Sequence, residues 1–334
     1  MKIDISDRAD EAAPGIPDAA ASASFASLPA TPGADGGAAS STVRGTVPEP
    51  AGRTQRRTRA RRTGAGGRRF GGVRAGLIIA WAIIGVVLLW AVVPGLFTGY
   101  NPLVGVPAEK LQAPSLAHWF GTDALGRDLL ARIIHGSVHS LSGALLAVTV
   151  GLVSGTAIGV IAGSVGGVVD DILMRVVDVL LAIPGLLLSL SIIILLGFGT
   201  TNAAIAVGVG SVASFARLSR SEVVRVRRTD YVEAAFGSGG RYARVLLRHV
   251  LPNSITTVIG YAALQFGVAI LAISTLGFLG YGAPPPTPEW GLLIAEGRNY
   301  VATSWWLTTF PGLIVVIVVL AANRISSSIG RNRT

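Results

Sequence analysis

The stretch "DYVEAAFGSGGRYARVLLRHVLPN", Asp230 to Asn253, is a charged island between two long apolar runs. Asp230 is expected as the N-cap of a helix built from the good helix formers of "YVEAAF". Gly237, Gly239 and Gly240 then stop that helix and permit left-handed backbone angles. A second helix, "RYARVLLRHV", follows, and Pro252 ends it. Arg241, Arg244 and Arg248 recur at spacings of three and four and make one basic stripe, while Val245, Leu246 and Val250 lie on other faces. A solvated connection does not need this order. A short helix pair, half basic and half apolar, lying across a membrane face suits a protein-docking element.

The surroundings make that face a membrane face. Of the 334 residues, 51% are hydrophobic and 14% charged, whereas a soluble domain carries about a quarter charged residues. The apolar residues are clumped, and several clumps reach the roughly 20 residues that cross a bilayer. Six spans are expected, over 76–98, 138–162, 171–196, 203–217, 254–276 and 304–325, giving an all-α polytopic membrane protein. The fourth is short and rich in small residues and serines, which suits the inside of a bundle. The third contains Pro184, which is expected to kink it.

Arginine placement sets the orientation. Residues 1 to about 52 are Ala/Gly/Ser/Pro-rich without apolar period and are expected to be disordered. Arg53 to Arg74 is a basic run directly before the first span, read as a juxtamembrane segment touching anionic lipid. Domains are therefore expected as a tail, 1–75, and a transmembrane unit, 76–328. The tail, the loop 217–252 and the C-terminal end hold most of the arginines, and six spans put all three on one side. The positive-inside rule makes that side the cytoplasm, with both termini there. A non-transport scaffold built around the basic tail is the competing class; no nucleic-acid partner is expected.

Three stretches carry a family resemblance. Glu233, Ala234, Ala235, Gly239, Leu251 and Pro252 stand at the spacing of the signature loop of ABC importer membrane subunits, with His249 where many relatives have an aliphatic residue. "HWFGTDALGRDLLARIIHGSVHSL" (118–141) and "STLGFLGYGAPPPTPEWGLLIAEGRNY" (274–300) sharpen the match. Together they resemble the dipeptide/oligopeptide/nickel permease family, in its second membrane subunit, over about residues 76–328. The resemblance implies a type I ABC importer permease of the bacterial cytoplasmic membrane. It implies short-peptide cargo, with nickel or another small solute as the alternative. It implies as partners a homologous permease subunit, two ATPase subunits that carry the hydrolysis, and an extracytoplasmic substrate-binding protein. It makes Asp230, Glu233, Ala234, Ala235, Gly239, Arg244, Arg248, Leu251 and Pro252 the ATPase-coupling loop. Gly121, Thr122, Asp123, Gly126, Arg127, Asp128, Pro286, Pro288 and Trp290 become the outer gate and binding-protein face.

The residues themselves add further expectations. Thr122 or Asp123 caps a helix after "FGT", with pairs Asp123–Arg127 and Asp128–Arg132 at four residues. Leu125, Leu129, Ile133 and Ile134 would turn that helix apolar side down on the membrane surface. "APPPTPEWG" is stiff, and Trp290, Trp305 and Trp306 suit a membrane interface. Asp171, Arg175 and Asp178 form a charge cluster at the start of the third span, paired within its helix. His135 and His139 share a helix face but lack a third ligand, so wet interfacial histidines are expected and no metal. No phosphate-cradling loop or catalytic constellation occurs, and no cofactor is expected. With no cysteine, thiolate metal sites are excluded.

Overall fold

A computed structural model describes residues 69–331, and the tail assignment falls largely outside them. The regular structure of the described residues is helical, joined by loops, with one isolated antiparallel bridge, Thr122 to Asp128. In order come α1 (Arg69–Val92), α2 (Leu129–Val165), α3 (Gly167–Ala182), α4 (Gly185–Leu196), α5 (Thr200–Arg227), α6 (Asp230–Gly237), α7 (Tyr242–Val245), α8 (Leu251–Phe278), α9 (Trp290–Gly297) and α10 (Trp306–Arg331). Five helical runs are long and apolar enough to cross a membrane, and α3 with α4 makes a sixth if that bent pair is one span.

The α3–α4 pair departs from the expected kink. The two helices meet at 95°. Pro184 clashes with a helical residue before it, so Ile183 adopts extended angles, φ −86° and ψ 128°, and α3 ends at Ala182. The segment expected as the third span is therefore two helices meeting at a sharp break, not one bowed helix.

Two helices are longer than hydropathy suggested. At 37 residues and 1.5 Å per residue, α2 is about 55 Å long, well beyond a hydrocarbon core of about 30 Å. Its two ends thus stand far apart and carry different chemistry. α5 runs on through "SRSEVVRVR" to Arg227, because Val223 and Val226 on that extension are buried.

A glycine row on α2 sets the tightest seam, where it packs along α5. A Cβ on Gly155 would lie 2.5 Å from both Phe215 Cβ and the Val212 carbonyl oxygen. A Cβ on Gly159 would lie 2.3 Å from the Ala216 carbonyl oxygen. Small residues let backbones approach this closely, and dispersion then replaces the hydrophobic drive that lipid cannot supply. The main core, around Ile133, Ala147, Phe215, Ile270, Ile273 and Trp290, joins α2, α5, α8 and α9.

Candidate functional site

At the C-terminal end of α2 sits the loop that the sequence singled out. α6 and α7 are separated by Ser238–Arg241, and Gly239 holds φ +83°, which a side chain rarely tolerates. Gly240 is close-packed as well: a Cβ there would meet the Ala235 carbonyl oxygen at 2.5 Å. Asp230 lies in the first turn of α6 and does not cap it; the N-cap position is Thr229, whose hydroxyl donates to the Val226 carbonyl at 2.6 Å. Pro252 does not end the second helix. The chain passes from α7 through a π turn, Leu246–Val250, straight into α8, with Pro252 in the first turn, where it needs no N–H partner.

The loop is two-sided. Val232, Val245 and Val250 are buried against Val223 and Val226 of α5, and Ala235 packs on them. Glu233, Ala234, Arg241, Arg244 and Arg248 are exposed, as are Tyr231, Phe236, Tyr242 and Leu247. Leu251 is half-buried. The basic stripe therefore shares its surface with aromatic and aliphatic groups that water alone would not favour in such density.

Two residues that sequence reasoning passed over clamp this loop to α2. The Arg227 guanidinium donates to the Gly163 carbonyl at 2.7 Å and the Ser164 carbonyl at 2.8 Å. These are unsatisfied carbonyls of a helix C-terminus, where a cation is favoured. The Tyr242 hydroxyl donates to the same Ser164 carbonyl, and the guanidinium carbon lies 5.7 Å from the Tyr242 ring centre. Beside them, the charge cluster of α3 pairs with α5 and not within its own helix. Arg220 donates through Nε and Nη2 to Asp170 at 2.7 and 2.6 Å, and Arg217 pairs with Asp178. Asp171 adds its field at Arg220, and Arg175 joins neither pair.

At the other end of α2 the segment before the helix is a compact loop, not a surface helix. α2 starts only at Leu129, capped by Asp128, which accepts from the Ala131 N–H at 2.7 Å. Asp123 organises the loop instead: its Oδ1 accepts from the Leu125 and Arg127 N–H groups at 2.8 and 3.0 Å. Gly121 and Gly126 have φ +75° and +77°. Thr122 is wholly buried; its hydroxyl donates to the Glu109 carbonyl and accepts from the Gln112 N–H. Leu129, Ile133 and Ile134 are buried in protein, and Leu125 is exposed.

The Asp123–Arg127 pair forms as expected, with Nε to Oδ2 at 2.6 Å. The Asp128–Arg132 pair does not. Asp128 binds His118 Nδ1 at 2.9 Å, and His118 Nε2 is 3.4 Å from Glu109. Arg132, fully buried, turns to Asp123 at 2.7 Å and to Glu296 of α9 at 2.5 Å. Burial pushes the Asp123 carboxyl up, but the Arg127 N–H, the Arg132 and Arg127 guanidinium groups and the Leu125 N–H together hold it below the ordinary carboxylate value.

The proline-rich loop pins α9 beside this cluster. Its Pro285–Pro286 bond is cis, and Pro288 leads into Glu289. Glu289, wholly buried, caps α9 by accepting from the Gly291 and Leu292 N–H groups at 2.9 and 3.0 Å. Burial pushes its carboxyl up to about 7, against the lowering pull of those two N–H groups and the Ser140 hydroxyl. Trp290 is buried in protein, not at a lipid interface: its indole N–H donates to the Ile133 carbonyl at 3.0 Å. Trp306 is likewise buried and reaches the Thr122 carbonyl at 3.3 Å, so of Trp290, Trp305 and Trp306 it is Trp305 that stays exposed. His135 bonds the Ala131 carbonyl of its own helix at 2.9 Å, and among the described residues no His/Asp/Glu group is arranged to hold a metal.

Residues 155–332 match the family described as "Binding-protein-dependent transport system inner membrane component". The chain is 39% identical over 252 residues to a dipeptide transport system permease protein of Alkalihalophilus pseudofirmus, covering 75% of this chain and 83% of that one. It is 37% identical over 212 residues to a glutathione transport system permease protein of Pectobacterium atrosepticum, covering 64% and 70%. In fold it is similar to a chain of the inward-facing MetNI methionine ABC transporter, with TM-score 0.52, 16% identity, and coverage of 62% of this chain and 98% of that one. An amino acid ABC transporter chain gives TM-score 0.50 at 18% identity, with coverage of 61% and 94%. The chain belongs to the family of inner membrane permease components of binding-protein-dependent ABC import systems.

Proposed function

We propose that this permease imports short peptides and that Asp230–Pro252 is where ATPase subunits push on it. In this reading α3 and α4 count as one span, so the loop and both termini face the cytoplasm. A homologous permease completes the pathway. A substrate-binding protein docks at the opposite end, over the Gly121–Asp128 loop and the Pro286–Trp290 segment. The names of two relatives, a dipeptide and a glutathione permease, support a peptide cargo.

One observation carries the reading. The aromatic and basic face of α6–α7 is exposed, while its underside is packed on α5 and clamped to the C-terminus of α2. A surface built to receive force must be open on one side and stiff on the other. ATP-driven closure of the partners would favour one arrangement of the bundle by differential binding, which is what alternating access requires. Glu233 and Gly239 shape the lever; Arg244 and Arg248 contact the ATPase.

The test is purification from native membranes in mild detergent, comparing wild type with Glu233→Lys and Gly239→Pro, with uptake of labelled dipeptide and labelled nickel measured alongside. An ATPase retained by wild type and lost by both folded variants, with peptide uptake, supports the proposal. Absence of any ATPase from an intact wild-type complex would sink it, and nickel uptake without peptide uptake would replace the cargo.

A further inference from the structure

A cavity of about 260 Å³ lies between α2, α4, α5 and α8. Its polar lining is Ser189 of α4, Ser211 and Ser214 of α5, and Gln265 of α8; the rest of the lining is apolar or glycine, and none of it is charged. Two glycines leave the space open. A Cβ on Gly210 would make only ordinary contact, 3.6 Å from Ser189 Oγ, and one on Gly185 would meet nothing within 4 Å. These glycines provide room, whereas Gly155 and Gly159 provide close packing.

Gln265 stands midway along α8, 14 residues from Leu251 and 13 from Phe278, which is about 20 Å from either end. It is half-buried, and its carboxamide has no hydrogen-bond partner among the described residues. Neither polar atom is closed off, since the unpaired atoms that are fully buried belong to other residues. The Ser214 hydroxyl, on the α5 wall, is unpaired and open in the same way. A carboxamide turned to hydrocarbon at that depth would forfeit its hydrogen bonds outright. The cavity must therefore offer it water or a polar ligand, and the volume suits several waters. A lipid chain in the same space would leave both groups unsatisfied.

The lining chemistry selects the ligand class. A carboxamide presents an acceptor and a donor side by side without charge. An extended peptide residue presents the complement, its N–H and C=O pointing to one side, as in a β-ladder. A metal ion would find neither carboxylate nor imidazole here.

We propose that this cavity is a main-chain binding site within the transport path, in which Gln265 accepts from the N–H and donates to the carbonyl of one extended cargo residue. It rests on the importer reading for the cargo, a short peptide. The Ser214 hydroxyl supplies a further donor, and the apolar walls accept side chains without reading them. Main-chain groups are common to all peptides, so the contact is independent of sequence.

The experiment exploits a chain with no cysteine of its own. Ser214→Cys is labelled with a charged, water-soluble thiosulfonate in the intact permease–ATPase complex in lipid nanodiscs, and labelling of this chain is read by mass spectrometry. Val153→Cys, exposed on α2 but outside the cavity, is the control. The cavity cysteine is expected to react more than about tenfold faster, because hydrocarbon excludes a charged reagent. Saturating dialanine should slow that reaction severalfold, and its analogue with an ester oxygen in place of the peptide N–H should protect less. Adding Gln265→Met should erase the preference for peptide over ester. Gly210→Leu, filling the cavity from α5, should block labelling even if Gln265→Met fails to fold. Reaction as slow as the control, no protection by dialanine, equal protection by peptide and ester, or unimpeded labelling with Gly210→Leu would overturn the site. Peptide uptake by the wild-type complex, measured in parallel, separates the two ideas: uptake without protection sinks only this site, and no uptake sinks the importer reading beneath it.

Discussion

Arg227, the last residue of α5, donates its guanidinium to the Gly163 carbonyl at the end of α2, 2.7 Å away. The contact joins residues 64 apart in sequence, and a second bond to Ser164 doubles it. Loop, α5 and α2 therefore meet at one side chain.

Arg227→Met should uncouple the loop from the bundle without detaching the ATPase. Hydrogen bonds from a charged donor contribute about 1.5–3 kcal/mol, so transport per ATP hydrolysed is expected to fall about tenfold. Uptake and hydrolysis measured on the same proteoliposomes check this. Equal losses in both would mean that Arg227 serves only folding.

Gly155→Ala should lower the yield of folded protein, because the new Cβ would meet Phe215 Cβ and the Val212 carbonyl at 2.5 Å. Gly85→Ala on α1 meets nothing within 4 Å and should be neutral or better. Fluorescence-detected size exclusion of the two variants distinguishes close packing from a general intolerance of alanine.

Glu289 predicts a pH dependence. Its folded-state value, about 7, lies above its ordinary 4.5, so folding favours the protonated form. The stabilisation is complete below about pH 4.5 and is lost as pH rises through about 7, amounting to at most about 3 kcal/mol. The melting temperature of wild type in detergent should therefore fall relative to Glu289→Gln across that window. A constant difference between the two would refute a titrating cap.

Asp170→Asn should destabilise more than Asp178→Asn. Asp170 accepts two bonds from Arg220 and its side chain is only 14% exposed, whereas both side chains of the Asp178–Arg217 pair are 56% exposed. Exchanging the charges, Asp170→Arg with Arg220→Asp, should recover part of the loss, read as melting temperature.

Legibility followed sequence distance. Gly239 could be read because a positive φ is a local demand, and the α6–α7 break followed from it. The apolar runs gave the spans because crossing a bilayer is a length condition. Charge pairing was a different matter. Spacings of four suggested Asp128–Arg132 and Asp171–Arg175, yet in the structure Arg132 finds Glu296 and Asp170 finds Arg220. A buried charge takes the partner that desolvates with it, and that partner sits on another helix. Trp290 misled for the same reason: an indole favours an interface only when no carbonyl such as that of Ile133 is nearer. Pro184 was expected only to kink its helix, while the steric demand on Ile183 ended that helix outright.

The glycine row has a mechanical corollary. Helices whose backbones nearly touch can neither slide nor roll without first separating, so α2 and α5 travel as a single plank. The clamp at Arg227 and the buried Arg132–Glu296 pair lie near opposite ends of that plank. A tilt imposed at one end is then a displacement at the other, with no relay of side chains in between. Any compliance within the bundle must then reside elsewhere, and the 95° elbow at Ile183–Pro184 is one break the backbone provides.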